Sequence, residues 1–302
     1  MKKCLVTGAA GFIGSHLVDK LVELGHIVVA IDNESAECNE KRYWSPKANN
    51  HKCDICDYEK LEQLFEGVDW VFHLAAESRI QPTLLRPEKA VAVNVGGTCN
   101  VLQAAKKHEV ERVIYSATSA VYGRKNIPPL REDMIPHCLN PYSITKHGGE
   151  EFCRIYYELY GVKTTSLRYF NVYGERQPTS GQYAPVVGLF ARQKAAGEVM
   201  TVVGDGLQRR DFTHVLDIVE ANLLAAKCNK VEAFGQSFNV GTGTNHNMLE
   251  LIEMIGGDYI HIDSRPGEAR ETCADITKIN KILEWFPKIN LEDWIQKTGG
   301  QG

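Results

Sequence analysis

Apolar and polar positions alternate in a regular way along the first half of the chain. Short apolar runs are separated by longer stretches in which apolar residues recur near helical spacing, as at Val91, Val95, Val101, Leu102 and Ala105. Strands separated by helices indicate a parallel, doubly wound α/β sheet. The predicted strands cover 4–7, 27–31, 51–54, 112–116 and 164–169, and 68–76 is predicted as a strand with the turn that follows it. One predicted helix begins at residue 15, and the others cover 58–65, 87–108 and 141–160.

The pattern changes after residue 171, where prolines and glycines cluster. The sequence there predicts a helix over 186–196, a turn at 204–206 and a mixture of short elements over 234–302. We therefore expect a larger α/β domain over 1–171 and a smaller lobe over 172–302. The smaller lobe should cover the carboxyl ends of the strands, and some strands and helices from this part of the chain should pack in the first domain.

Composition excludes several classes of partner. The 302 residues carry a formal net charge of -4, so nothing in the charge favours binding to nucleic acid or to an anionic membrane. The nine cysteines have no framework spacing, which is typical of a reducing compartment and predicts a cytoplasmic protein. The pair Cys53 and Cys56 stands alone, so we expect neither a metal nor a redox site.

The first strand is followed by three glycines, Gly8, Gly11 and Gly14. This spacing permits a tight turn, a close approach of a diphosphate to the backbone, and a helix lying close to the sheet. The helix that begins there directs free N–H groups at the phosphates. Asp32 ends the second strand, where a carboxylate that binds ribose hydroxyls is expected. Together these features predict a dinucleotide-binding site. The segment 33–50 either covers the adenosine end of the dinucleotide or forms a loop on the protein surface.

Tyr142 and Lys146 are four residues apart and so share one face of a predicted helix. A lysine ammonium next to a phenol lowers the phenol's pKa, which suits a general base. An ordinary surface pair has the same spacing. Because hydroxyl residues at 116–119 end the preceding strand, we favour a catalytic role for the pair.

These motifs resemble the extended short-chain dehydrogenases/reductases, and among them the nucleotide-sugar epimerase/dehydratase family. The resemblance extends over nearly the whole chain. It implies a Rossmann domain with a substrate lobe, bound NAD, a sugar-nucleotide substrate and a homodimer formed through two long helices near 96–108 and 143–160. The matching segments are 7–14, 32–33, 54–55, 73–76, 116–123, 142–146, 167–174, 204–206, 210–212, 265–268 and 274–275.

The resemblance also implies a role for individual residues. Tyr142 is the base, assisted by Lys146 and Thr118, and Asp32 selects NAD over NADP. The residues implied to bind NAD are Gly8, Gly11, Phe12, Ile13, Gly14, Asp32, Asn33, Asp54, Ile55, Leu74, Ala75, Ala76, Asn94, Ser116, Tyr142, Lys146 and Tyr169. Those implied to bind the sugar nucleotide are Ser78, Thr118, Ser119, Tyr142, Asn171, Arg210, Arg265, Glu268 and Thr272.

Ala120 distinguishes between the reactions that the family performs. The triplet Thr118-Ser119-Ala120 contains no acidic residue. In the family that the chain resembles, dehydratases and decarboxylases usually have an acidic residue in the corresponding triplet. An alanine transfers no proton, so we predict 4-epimerisation of UDP-glucose and UDP-galactose, which needs only the tyrosine and NAD. The alternatives are another sugar-nucleotide epimerase, reductase or dehydratase, or a non-catalytic NAD-binding regulator.

Thr272 bears on the substituent at C2 of the sugar. In the family, enzymes restricted to plain hexoses can carry a tyrosine three residues before the aspartate that corresponds to Asp275. Threonine leaves more room there, and Ser78 and Arg79 are expected to face the same pocket. We therefore expect UDP-GlcNAc and UDP-GalNAc to be accepted as well.

Overall fold

The computed structural model describes residues 1–36, 41–179, 184–264 and 266–300. Within these residues, the central feature is a seven-stranded parallel sheet. Strands are β1 (Lys3–Thr7), β2 (Ile27–Asp32), β3 (Asn49–Lys52), β4 (Trp70–His73), β5 (Arg112–Thr118), β6 (Thr164–Tyr169), β7 (Val172–Tyr173), β8 (Met200–Val203), β9 (Arg209–Arg210), β10 (Thr213–His214), β11 (Gln236–Val240), β12 (His246–Asn247) and β13 (Tyr259–Ile262). The order across the sheet is β11-β6-β5-β4-β1-β2-β3, which is the doubly wound α/β arrangement that the sequence predicts.

Helices cover both faces of this sheet and build the smaller lobe. They are α1 (Phe12–Glu23), α2 (Tyr58–Gln63), α3 (Ile80–Leu85), α4 (Pro87–Ala90), α5 (Thr98–Lys107), α6 (Pro141–Tyr160), α7 (Val186–Ala195), α8 (Val215–Lys227), α9 (Met248–Ile255), α10 (Thr277–Leu283) and α11 (Leu291–Thr298). A π-helical segment, Val91–Gly97, joins α4 to α5. Short 3₁₀ turns cover Ser119–Tyr122 and Val231–Ala233.

The sheet is buried on both faces because helices pack against each of them, and β1 lies inside it between β2 and β4. Leu5 of β1 pairs with Val29 of β2 on one side and with Val71 of β4 on the other. One apolar core brings Leu17 of α1 together with Ile218 of α8 on one face. A second core covers the opposite face with side chains of α2 and α5. A third packs α7, α9 and α11 together in the smaller lobe.

The later part of the chain contributes directly to the large sheet. β11 pairs in parallel with β6, and α8 packs against α1 in the first core. The division of the chain at residue 171 remains a prediction. Among the described residues, no helix is both long enough and apolar enough to cross a bilayer.

The sequence predicts α6 and β6 at the bounds that the structure has, because both have clear periodicity and clear ends. Asn140 accepts a hydrogen bond from the Ser143 N–H and caps α6, and Gly161 ends the helix at a φ of 71°. The helix expected over 87–108 contains the π-helical segment, and β4 lies within the strand and turn expected over 68–76. The sequence does not clearly predict α8. Buried, mostly apolar residues lie around most of the circumference of this helix, so the apolar positions show little amphipathic periodicity.

Candidate active site

A cavity of about 530 Å³ lies where the carboxyl ends of β1, β2, β4, β5 and β6 meet. This is the edge of a doubly wound sheet at which ligands bind. The smaller lobe contributes to the opposite wall. The predicted site residues that line the cavity are Gly8, Gly11, Phe12, Ile13, Gly14, Asp32, Asn33, Ile55, Leu74, Ala75, Ala76, Ser78, Ser116, Thr118, Ser119, Tyr142, Lys146, Tyr169, Asn171, Arg210, Glu268 and Thr272.

The glycine loop forms the floor of one end. Gly8 has a φ of 69°, and a Cβ added there would lie 2.9 Å from the amide nitrogen of Ala75. A Cβ on Gly14 would lie 2.1 Å from the carbonyl oxygen of Gly8, so only glycine permits this contact between turn and helix. Gly11 precedes α1, and no side chain caps the first turn. The first-turn N–H groups, on the cavity wall, therefore suit the diphosphate of a dinucleotide.

Asp32 lies at the end of β2 with its carboxylate held in place. One carboxylate oxygen accepts the Ala10 N–H at 3.1 Å, and the other accepts the Glu34 N–H at 2.7 Å. A fixed carboxylate at this position suits ribose hydroxyls and repels a 2′-phosphate. The residues thus fit NAD.

The segment after β2 lies partly on the cavity. Ser35 and Ala36 line the wall, and the Tyr43 N–H donates to the Ala10 carbonyl oxygen of the glycine loop. Asp54 lies behind the wall, where its carboxylate accepts a 2.9 Å hydrogen bond from the Asn33 side chain. The structure thus brings Ile55 to the cavity but not Asp54.

A buried chain of hydrogen bonds fixes the backbone after β4. The Thr7 hydroxyl is 2.7 Å from His73 Nδ1 and accepts the N–H groups of Leu74 and Ala75. His73 Nε2 is 3.0 Å from the Thr98 hydroxyl, which itself donates to the Asn94 carbonyl oxygen. Since Thr98 uses its proton there, His73 donates at Nε2 and accepts at Nδ1. Burial lowers the pKa of His73 to about 3, so the imidazole is neutral at pH 7.

Asn94, in the π-helical segment, clamps the next turn of this loop. Its side-chain oxygen accepts the Glu77 N–H at 2.8 Å, and its amide nitrogen donates to the Glu77 carbonyl oxygen at 3.1 Å. The same nitrogen donates to Thr145 of α6 at 3.0 Å. Asn94 therefore lies behind the cavity wall rather than on it, and it connects the loop to the helix that carries Tyr142 and Lys146.

Tyr142 and Lys146 come to the cavity from the first two turns of α6. The expectation that Lys146 lowers the pKa of Tyr142 is not met. Burial raises the pKa of Tyr142, and the opposing influences are the Thr118 side chain and the charge of Arg79. The Lys146 ammonium lies over the ring of Tyr115 instead, and burial lowers the pKa of Lys146 to about 7.

Thr118 ends β5 beside these two residues. Its hydroxyl oxygen accepts the N–H of Ala120 at 3.2 Å, which fixes the turn that follows. Thr118, Ser119 and Ala120 all line the cavity. The wall next to Tyr142 therefore presents hydroxyl groups and a methyl group from this triplet, and no carboxylate.

The smaller lobe supplies polar side chains at the other end. The Asn171 side chain donates to the Asp211 carbonyl oxygen at 2.9 Å and lies 3.4 Å from the Thr272 hydroxyl. Arg210 lies 3.4 Å from a carboxylate oxygen of Glu268, and burial lowers the pKa of Arg210. Arg265 lies outside the described residues.

The sequence analysis missed the buried polar residues that support the site. His73 occurs in a matching segment of the sequence, which does not reveal its hydrogen bonds, and the pair between Arg168 of β6 and Glu150 of α6 has no motif at all. Arg168 makes two 2.9 Å hydrogen bonds to the Glu150 carboxylate. The available signal was a polar residue within an apolar strand, because such a residue needs a buried partner. Among the described residues, no cluster of three or more histidine, cysteine or acidic side chains could hold a metal ion.

Comparison of the sequence and of the structure with known proteins finds the same family of nucleotide-sugar enzymes. The model of the NAD-dependent epimerase/dehydratase family matches residues 4–241. A putative UDP-glucose 4-epimerase of Methanocaldococcus jannaschii is 36% identical over 97% of this chain and 96% of its own. A UDP-N-acetyl-alpha-D-glucosaminuronate decarboxylase of Bacillus cytotoxicus is 33% identical over 98% of this chain and 96% of its own. The crystal structure of UDP-glucose 4-epimerase from Thermotoga maritima with UDP-glucose superposes with a TM-score of 0.90 at 35% identity, over 96% and 95% of the two chains.

Proposed function

The chain belongs to the NAD-dependent epimerase/dehydratase family, and we propose that it interconverts the C4 epimers of a UDP-hexose. The proposed substrates are UDP-glucose and UDP-galactose, together with UDP-GlcNAc and UDP-GalNAc. The observation that carries the proposal is the cavity wall around Tyr142, which combines a tyrosine–lysine pair with a triplet that has no acid.

NAD is the cofactor of this family, and the observed cradle fits it. We assign the diphosphate to the first turn of α1 and the adenosine ribose to Asp32. The nicotinamide end then lies toward Lys146 and Tyr142. NAD held there would supply the hydride acceptor and donor that a change of configuration at C4 of the sugar requires.

Tyr142 acts on the proton of O4. The phenolate accepts this proton as the sugar becomes a 4-keto species, and the phenol gives a proton back when the alcohol forms again. Burial alone raises the pKa of Tyr142, which disfavours the phenolate, so the surrounding groups must compensate. Thr118 and Arg79 lower that pKa, and we assign the hydroxyl of Thr118, which lines the cavity, to O4.

The smaller lobe holds the rest of the sugar nucleotide. Asn171 and Arg210 are assigned to the diphosphate, because an amide and a guanidinium donate to phosphate oxygens. Glu268 is assigned to the uridine ribose, and Arg265 is assigned to the diphosphate from the family resemblance alone. The assignments leave the hexose between the lobe and Tyr142, and the 4-keto sugar must rotate there to present its other face.

Other reactions of the family require a group that the triplet Thr118-Ser119-Ala120 lacks. Loss of water across C5 and C6 needs an acid and a base next to the ring, and decarboxylases of the family carry a glutamate in the same triplet. The side chain of Ala120 ends at its Cβ and transfers no proton. Ser119 is a weak acid, so it does not replace the carboxylate. This difference favours epimerisation over the decarboxylase activity of the Bacillus cytotoxicus relative.

The proposal is tested by incubating the purified protein with UDP-glucose, UDP-GlcNAc and GDP-mannose without added cofactor. NMR should show UDP-galactose and UDP-GalNAc, with no net change in the absorbance of NADH. A stable keto product or net formation of NAD or NADH would instead establish a dehydratase or a reductase. Bound NAD without any product would favour a non-catalytic regulator.

We also propose that the protein is a cytoplasmic homodimer. All eight cysteines within the described residues are free thiols, as expected in a reducing compartment. Three exposed apolar side chains, Val91, Ile144 and Leu159, lie on or next to the two long helices through which the family dimerises. Light scattering coupled to size-exclusion chromatography tests the dimer, and a single-chain mass would contradict it.

A further inference from the structure

Side chains of the larger domain hold the loop of the smaller lobe that carries Glu268. Residues 266–269 make no backbone–backbone hydrogen bond with the described part of the chain. Instead, three consecutive carbonyl oxygens of this loop each accept a hydrogen bond from a side chain of the larger domain. The pairs, with the donor first, are Gln81 and Pro266 at 3.1 Å, Asn140 and Gly267 at 2.8 Å, and Arg124 and Glu268 at 2.9 Å. We call these three hydrogen bonds the interlobe clasp.

The other end of the loop is fixed within the smaller lobe. The Arg209 N–H donates to the Arg270 carbonyl oxygen at 3.0 Å, and the Arg270 guanidinium makes hydrogen bonds of 2.7 and 2.8 Å to the Asp205 carboxylate. The Glu268 side chain lies 3.4 Å from Arg210 of the same lobe. Movement of the loop away from the larger domain would therefore break the interlobe clasp and leave the anchor at Arg270 in place.

The interlobe clasp joins two walls of the cavity. Gln81 and Asn140 line the cavity from the larger domain, whereas Gly267 and Glu268 line it from the smaller lobe. The uridine ribose is assigned to Glu268, so the clasp lies at the nucleotide end of the proposed substrate. A loop held closed over a bound ligand slows the release of that ligand.

Asn140 uses both ends of its side chain. Its oxygen accepts the Ser143 N–H at 2.8 Å and caps α6, while its amide nitrogen donates to the Gly267 carbonyl oxygen. The cap requires the oxygen, so the nitrogen is the atom that faces the loop. Tyr142 follows two residues later. The residue that begins the helix of the proposed base therefore also holds the nucleotide loop.

We infer that Asn140 and Gln81 are positioning residues that act through the 266–269 loop and slow the release of the sugar nucleotide. The inference rests on the proposed function for the identity of this ligand. Loss of the interlobe clasp should raise the dissociation rate of the nucleotide and KM. It should have little effect on kcat at saturating substrate, because Tyr142, Lys146 and the NAD cradle stay in place.

The test uses the NAD-loaded protein and uncharged replacements, since a new charge on this wall would itself change the binding of a diphosphate. Asn140→Ser keeps a capping oxygen but is too short to reach Gly267. Gln81→Met keeps the length of the side chain and removes the donor. Asn290→Ser is the matched control, because Asn290 caps α11 in the same way and does not line the cavity.

Three measurements separate a clasp from a merely structural contact. Surface plasmon resonance with UDP, which does not react, gives the dissociation rate. NMR turnover of UDP-glucose gives KM and kcat. Hydrogen exchange followed by mass spectrometry reports the opening of residues 266–272 before any sugar nucleotide is added. Gln81→Met, which lies on α3, keeps the test valid if Asn140→Ser destabilises α6.

We expect Asn140→Ser and Gln81→Met each to raise the UDP dissociation rate and KM by about three- to tenfold, with faster exchange over 266–272. The value of kcat should change by less than about twofold, and Asn290→Ser should change none of these quantities. Unchanged UDP dissociation and unchanged loop exchange in both clasp variants would overturn the inference and leave the proposed function intact. Faster UDP release in these variants of a protein that binds UDP-glucose without epimerising it would support the inference and overturn the proposed function.

Discussion

The ammonium of Lys146 lies 4.3 Å from the centroid of the Tyr115 ring, and the hydroxyl of Tyr115 donates to the carbonyl oxygen of Lys146 at 3.3 Å. Tyr115 therefore contacts both the charge and the backbone of the lysine. A cation above an aromatic face is stabilised, but the surrounding burial disfavours the charge more strongly. As a result, the pKa of Lys146 is lowered to about 7.

This lowered pKa makes stability depend on pH in a defined window. Between about pH 7 and 10.5 the unfolded chain keeps a proton on this lysine that the folded chain has lost. The free energy of unfolding therefore rises with pH there, by up to about 1.4 kcal/mol per pH unit. Lys146→Met should lack this rise. Urea unfolding of the ligand-free protein and the variant at pH 7 and pH 9 measures the difference, and parallel pH dependences would contradict it.

Tyr142→Phe isolates the proton transfer. The ring still fills the same space, but no atom accepts the O4 proton, so we expect turnover to fall by about 100-fold or more. NAD and UDP-sugar should remain bound, because the phenol is one contact among many on the cavity wall. NMR turnover and calorimetry measure the two effects. Turnover at the wild-type rate would exclude Tyr142 as the base.

His73 should make the fold sensitive to acid. Its pKa is lowered to about 3 by burial, whereas the unfolded chain titrates near 6.5. Below pH 6.5 the unfolded chain binds a proton that the folded chain does not, so stability falls as the pH falls toward 3. His73→Gln should be less stable at pH 7, by about 1–3 kcal/mol, because it disrupts the chain between Thr7 and Thr98. The variant should then lose less stability than the wild type between pH 6.5 and pH 4.5 in urea titrations.

Thr272→Tyr tests the room at C2 of the sugar. Thr272 is buried on the cavity wall beside Asn171, so a tyrosine must extend into the space that an N-acetyl group would use. We expect activity on UDP-GlcNAc to be lost and activity on UDP-glucose to be kept. Thr272→Ser serves as the control, since it keeps the hydroxyl and adds no volume. Loss of both activities, or of neither, would contradict this account of the site.

Gly14→Ala tests the close contact between turn and helix. The added Cβ would lie 2.1 Å from the Gly8 carbonyl oxygen, so the glycine loop must shift. We expect a loss of about 1–3 kcal/mol in stability and weaker NAD binding. Gly96→Ala is the matched control, because a Cβ there meets nothing within 4 Å. Equal behaviour of the two variants in thermal melts with and without NAD would exclude the contact as a constraint.

The sequence predicts the sheet, the glycine loop and α6 well, because each has a local signal. Apolar runs define the buried strands, and the Asn140 cap with Gly161 defines α6. The sequence could not show the behaviour of Lys146, since its charge depends on burial and on Tyr115, which precedes it by 31 residues. Asn94 is similar: the resemblance implies a cofactor contact, and its hydrogen bonds to Glu77 could not be predicted because the two residues are brought together only by the fold.

The Asn94 clamp has a consequence for how substrate preference can evolve. Because the backbone at Glu77 is fixed from the π-helical segment, the two following side chains, Ser78 and Arg79, can be exchanged without rebuilding the loop. Mutational drift at these two positions would then change which sugars fit while leaving the nucleotide cradle undisturbed. A library randomised at both positions is expected to yield mostly folded, NAD-retaining proteins with diverging sugar preferences.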